Sequence, residues 1–157
     1  MAYCSEHINL PPERVFSVLA DSEAYDQWVV GAKRIRRADP GFPAQGTRFH
    51  HTVGFGPISV EDHTEVLAVD PPRLLKLKAK ARPAGTFVVE LRLESEGVGT
   101  RVHMTEEPGD ALTRWVFGPL SDLLVRGRNM KSLERLKRLA EGRSPGPAGG
   151  ARHGAPA

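Results

Sequence analysis

Residues 46–66 read GTRFHHTVGFGPISVEDHTEV, placing His50, His51 and His63 among Glu61, Asp62 and Glu65. Side chains of these types do two kinds of chemistry. Imidazoles and carboxylates together can hold a divalent metal. A histidine beside a carboxylate can instead take and return protons, because the negative charge raises the basicity of the ring. Which chemistry is open depends on facing, since successive strand residues point to opposite sides of a sheet. His50 and His63 have no evident third ligand on their face, so neither a metal nor another cofactor is expected. The single cysteine, Cys4, has no histidine evidently facing it, so it is not expected to be an activated nucleophile.

The elements around this stretch alternate with period two from Lys33 to Glu107. Leu75, Leu77, Ala79 and Ala81 alternate with Lys76, Lys78, Lys80 and Arg82; Phe87, Val89, Leu91 and Leu93 alternate with Val88, Glu90, Arg92 and Glu94. Such patterns mark strands with one buried face, and turn signals at Gly54, Asp70, Pro83 and Glu96 separate them into an antiparallel meander. Turn lengths then set the register. Pairing Phe55 with Ile58 puts His51 beside Asp62, both inward. Pairing Val69 with Leu74 puts Val66 beside Leu77 and Glu65 beside Lys78. Pairing Arg82 with Thr86 puts Leu77 beside Leu91, and pairing Ser95 with Thr100 puts Glu94 beside Arg101. His50, Glu61, His63 and Glu65 then lie outside, with Glu61 opposite Arg82. Glu106 points inward with Val102 and Met104, in one row with Val89, Ala79, Thr64 and Phe49.

Helical spacing appears at the two ends. Pro11 and Pro12 open a helix carrying Val15, Phe16 and Leu19. Ser22 can cap a second short helix through Tyr25 and Trp28, with Trp28 stapling it to the core. After Asp110 the period returns to 3.6. Leu120, Leu123, Leu124, Gly127, Met130, Leu133 and Leu136 form an expected inner stripe, with a break near Gly118 and Pro119. An amphipathic helix of this length is the natural cover for a one-sided sheet. Small Ala79 and Ala81 leave room at the end holding His51, Asp62 and Glu106. Phe49, Thr64 and Phe87 share that region, Arg114 can pair with Glu106, Trp115 can wall the space or only anchor the helix, and Gly127 can leave space along the helix or serve helix packing. The candidate catalytic set is His51, Asp62 and Glu106; a satisfied structural pair at a wet cavity mouth is the alternative for His51 and Asp62. The expected ligand contacts are Phe49, Thr64, Ala79, Ala81, Phe87, Arg114, Trp115 and Gly127.

The chain has 157 residues, the size of one domain, with a formal net charge of +3. Its pI of about 9.3 invites a nucleic-acid reading. However, Arg143 and Arg152 lie in the Gly/Pro/Ala-rich end. Without them 20 basic side chains face 19 acidic ones, and no basic face is expected. Residues 1–142 are expected to form the domain and 143–157 a disordered tail. No run of about 18 apolar residues occurs, so no membrane span is expected. Nor is a secretory signal evident. A cytoplasmic monomer or homodimer is the expectation.

The order of strand, two short helices, strand run and long helix resembles the START-like helix-grip (SRPBCC) superfamily, and within it the polyketide cyclase/dehydrase-like branch. The resemblance is carried by PPERVFSVLAD (11–21), Trp28 in YDQWV, VDPPRLL (69–75), GTRVHMTEE (99–107) and SLERLKRLAEG (132–142). It implies an α+β helix-grip fold: a curved antiparallel sheet of about seven strands around the C-terminal helix, enclosing a cavity. It implies a hydrophobic small molecule as partner, with either cofactor-independent cyclase/dehydratase chemistry or non-catalytic carriage of a lipid, isoprenoid or polyketide. For an enzyme, His51 supported by Asp62 would be the base and Glu106 the acid. A chaperone-like role for the outer sheet face is the weakest reading, because that face is charged and mixed.

Overall fold

The computed structural model describes residues 1–55, 57–81, 85–116 and 119–143. The chain runs β1 (Ala2–Ile8), α1 (Pro12–Leu19), a 3-10 turn (Ser22–Ala24), α2 (Tyr25–Trp28), β2 (Ala32–Ala38), β3 (Arg48–Phe55), β4 (Ile58–Asp70), β5 (Leu74–Ala81), β6 (Gly85–Glu96), β7 (Gly99–Pro108), α3 (Ala111–Val116) and α4 (Pro119–Gly142). The strands form one antiparallel seven-stranded sheet in the order β1-β7-β6-β5-β4-β3-β2. This is the α+β helix-grip architecture, with α4 packed against β1, α2 and β7.

Local chemistry explains the boundaries. Pro11 is extended and Pro12 begins α1, where a missing N–H costs nothing. The next short turn is capped by the Asp21 carboxylate, which accepts from the Glu23 N–H; Ser22 is one position too late for that role. Strand alternation then fills the core with Leu75, Leu77, Leu91, Leu93 and Val102, covered by Leu133, Leu136 and Ala140 of α4. Each such large aliphatic side chain contributes about 1.5–3 kcal/mol on burial.

The register agrees with the turn-length argument at three joints. Phe55 pairs with Ile58 and His51 with Asp62. Val66 pairs with Leu77 and Glu65 with Lys78. Ser95 pairs with Thr100 and Glu94 with Arg101. The turn after Asp70 differs: Asp70 pairs with Leu74 and Val69 with Leu75, and a bulge between Val66 and Ala68 absorbs the extra residue. At the β5–β6 joint Leu77 pairs with Val89 and Leu75 with Leu91, a slide of two positions from the expected pairing. A two-residue slide preserves facing, so the inward set survives. It does move Glu106 into the row of Val89, Leu77 and Val66, one step from the row of Phe49, Thr64 and Ala79. Arg82, expected opposite Glu61, lies outside the described residues, as do residues 144–157 of the tail.

The inner stripe of α4 is rotated from expectation in its first half. Leu123, Leu124, Gly127 and Met130 are exposed, while Asn129, Ser132, Leu133, Leu136 and Ala140 are buried. The side chain of Leu120 lies outside the described residues. Among the described residues no helix is long and apolar enough to cross a membrane.

Candidate functional site

A cavity of about 130 Å³ lies between the sheet and α4. Its floor comes from Phe49 and His51 of β3, Thr64 of β4, Leu77 and Ala79 of β5, Phe87 and Val89 of β6, and Met104 and Glu106 of β7. Tyr25, Trp28 and residues 29–32 form one side, and Arg128, Asn129 and Ser132 of α4 form the roof. The space follows from the residue types. Ala79 is short, and the roof carries polar side chains tied to other partners where the second half of α4 carries leucines. An aromatic chain stiffens the wall, with ring centroids 5.1 Å apart for Tyr25–Trp28, 4.6 Å for Tyr25–Phe49 and 5.6 Å for Phe49–His51. Ser132 Oγ accepts from the Val30 N–H at 3.0 Å and donates to the Arg128 carbonyl, fastening the roof to the side wall.

His51 is buried, and its Nε2 lies 2.9 Å from Thr64 Oγ1. Its Nδ1 is buried without a hydrogen-bond partner. Burial pushes the imidazole down to about 4, although the neighbouring Asp62 charge and the His63 backbone pull upward. The expected increase in basicity is therefore overturned: desolvation of a cationic ring outweighs one nearby carboxylate. Asp62 stands opposite His51 in the ladder, but its Oδ1 accepts from the His63 N–H at 3.0 Å. It is buried yet does not line the cavity.

Glu106 is buried on the cavity floor. Its two oxygens accept from Arg128 Nη2 at 2.6 and 2.5 Å, and Oε2 also accepts from Asn129 Nδ2 at 2.8 Å. The carboxylate so engaged anchors α4 to β7. Arg128 thus takes the place expected for Arg114. Among the described residues no three His, Cys, Asp or Glu side chains come together as a metal site.

Of the expected contacts, Phe49, Thr64, Ala79 and Phe87 do line the cavity with His51 and Glu106. The side chain of Ala81 lies outside the described residues. Arg114 and Trp115 are exposed, Trp115 at 83%, because α3 is anchored through Thr113. Thr113 Oγ1 donates to Asp110 Oδ1 and accepts from the Thr86 N–H, turning the residue two positions on away from the sheet. Gly127 is also exposed, and a Cβ there would meet nothing within 4 Å, so it neither opens the cavity nor packs the helix. Sequence reasoning missed Tyr25, Arg128, Asn129 and Ser132, and treated Trp28 only as a staple. Trp28 lines the cavity, and its buried Nε1 has no hydrogen-bond partner. The signal for the roof was present: stepping back from Leu133, Leu136 and Ala140 by three, four and seven lands on Asn129 and Ser132.

Similar folds occur in solved structures. A protein of Mesorhizobium loti is 21% identical with a TM-score of 0.66, covering 92% of this chain and 98% of that one. A protein of Nitrosomonas europaea is 16% identical with a TM-score of 0.68, covering 88% and 92%. Ara h 8.0201 is 12% identical with a TM-score of 0.67, covering 90% and 97%. No curated protein matches the chain. The family model described as polyketide cyclase / dehydrase and lipid transport matches residues 3–141, nearly the whole described fold, and the chain belongs to that family.

Proposed function

We propose that this protein binds an apolar small molecule in the cavity and carries it without transforming it. The family and fold support hydrophobic ligand binding in general. The observation favouring carriage over catalysis is the engagement of both carboxylates expected to move protons. Asp62 accepts from the His63 backbone, and Glu106 is held by Arg128 and Asn129. Removing a proton beside a carbonyl and expelling a hydroxyl needs a poised base and a free acid. His51, at about 4, is a weak base, and among the described residues the acid on the cavity wall is Glu106, which Arg128 and Asn129 hold.

Cyclase or dehydratase chemistry is the second reading. Its specific support is His51 itself, a neutral imidazole among the residues that line the cavity. Native mass spectrometry of protein purified from its source, followed by incubation of any retained ligand with ligand-free protein, separates the two. Carriage predicts a retained apolar molecule of unchanged mass after incubation. Loss of water from that molecule on the protein, abolished in His51→Ala, would establish the second reading instead.

A further inference from the structure

Large apolar side chains that face water are concentrated in one part of the described fold. Leu112 and Trp115 of α3 and Leu123, Leu124 and Met130 of α4 are all 52–83% exposed. Met1 stands beside them, its amine 3.0 Å from Asp122 Oδ2. The others, Tyr3, Ile58 and Val98, are scattered over β1, β4 and the β6–β7 turn. Single exposed apolar residues are ordinary, whereas a concentration of them marks a surface that meets a partner. The spacing is regular. Leu112 and Trp115 are three apart on α3, with the anchor Thr113 buried between them. On α4, Leu123, Gly127 and Met130 follow at i, i+4 and i+7 with Leu124 alongside, opposite the buried Asn129, Ser132, Leu133 and Leu136. The stripe closes at Glu134, which is paired with Arg138.

Charge narrows the partner. Arg114, Arg126 and Lys131 are exposed along these helices, and among the described residues none of the three has an ion-pair partner. The acids of the same stretch are engaged: Asp122 with the N-terminal amine, and Asp110 with the N–H and hydroxyl of Thr113. A second copy docked face to face through the stripe would bring Arg126 and Lys131 toward their own images, and like charges oppose association. An anionic lipid surface complements every part of the face. Acyl chains take the leucines, an indole settles at headgroup level, and lipid phosphates and carboxylates meet the cations.

We propose that the outer face of α3 and the first half of α4 docks on an anionic lipid surface, lying in the interface without crossing it. The inner face of the same half-helix carries Arg128, Asn129 and Ser132 over the cavity, so the docked surface lies one helix diameter, about 10 Å, from that space. The inference stands whether or not the cavity transforms what it holds.

The test mixes full-length protein with vesicles of phosphatidylcholine alone, or of equal parts phosphatidylcholine and phosphatidylserine, and measures the bound fraction by sedimentation. Each cation near an anionic surface is worth about five-fold in partition, so the mixed vesicles should bind at least about ten-fold more protein, and high salt should reverse this. Tryptophan emission should shift to the blue on binding, and Trp115→Phe should remove the shift. Leu123→Ser with Leu124→Ser, both at exposed positions and with folding checked by circular dichroism, should lower partition by at least about ten-fold. Ile58→Ser, similarly exposed at 67% but on β4, should leave it unchanged. Arg126→Glu with Lys131→Glu should abolish the preference for phosphatidylserine. The proposal is overturned by absence of binding to the mixed vesicles, by full binding of the leucine variant, or by an equal loss in Ile58→Ser. Self-association without vesicle binding, removed by the leucine substitutions, would also overturn it and assign the face to a second copy.

Discussion

The two halves of α4 do different work on one continuous surface. From Leu133 to Ala140 the inner face is aliphatic and closes against the leucines of β5 and β6. From Arg128 to Ser132 the inner face is polar, and each polar group is tied to a named partner: Arg128 and Asn129 to Glu106, Ser132 to Val30. An aliphatic half seals because its side chains interdigitate. The polar half holds its spacing by directed bonds and leaves room beneath them. The cavity thus follows a change of side-chain chemistry within one helix, together with the short Ala79 on the sheet beneath it.

The aliphatic half should yield the largest effect when broken. Leu136 is fully buried. Leu136→Ala should destabilise the fold by roughly 2–5 kcal/mol, the range for a truncated core leucine. Urea denaturation measures it. A cost below about 1 kcal/mol would mean that this half does not seal, and the contrast between halves would disappear.

The polar half should respond differently. Arg128→Met removes the guanidinium and strands the buried Glu106 carboxylate. The expected cost is about 3 kcal/mol, at the low end for a broken buried pair because Arg128 keeps some contact with water. Combining it with Glu106→Gln should recover most of that loss, which a Leu136→Ala lesion could not do. A double-mutant cycle checks this; strict additivity would refute the pairing.

These same elements show what sequence can carry. Strand facing was legible because side-chain parity tolerates error: the two-residue slide between β5 and β6 left every inward residue inward. His51, Thr64 and Glu106 were therefore placed on the correct face. Helix facing was less forgiving. Choosing leucines alone rotated the stripe toward Leu123 and Leu124, which are exposed, and hid Asn129 and Ser132, which are buried. Apolar periodicity marks the core face of a helix only where that face is apolar, and where α4 roofs the cavity with polar side chains it points the wrong way. The behaviour of His51 was illegible for another reason. Adjacency to Asp62 is a matter of register, whereas the balance between that charge and desolvation depends on how completely the ring is enclosed.

That balance gives the smallest of these effects and the clearest sign. His51 titrates near 4 in the folded protein, below its ordinary value of 6.5. A ring that protonates more readily when unfolded adds stability above about pH 6.5, and this stability is lost as pH falls toward 4. Relaxation of the site around a charged ring reduces the penalty, so the contribution should be on the order of 2 kcal/mol. Many carboxylates titrate in the same range, so the measurement must be a difference. Denaturation curves of wild type and His51→Gln should diverge across that window, with only the wild type losing this increment. His50→Gln supplies the comparison from the other face: its ring is part-exposed beside His63, outside the cavity. Its curve should parallel the wild type within about 0.5 kcal/mol, as for most surface substitutions. Equal slopes for wild type and His51→Gln would show that the folded ring is already solvated. The site half of α4 would then cover an open pool, and the contrast with its sealed half would be one of exposure alone.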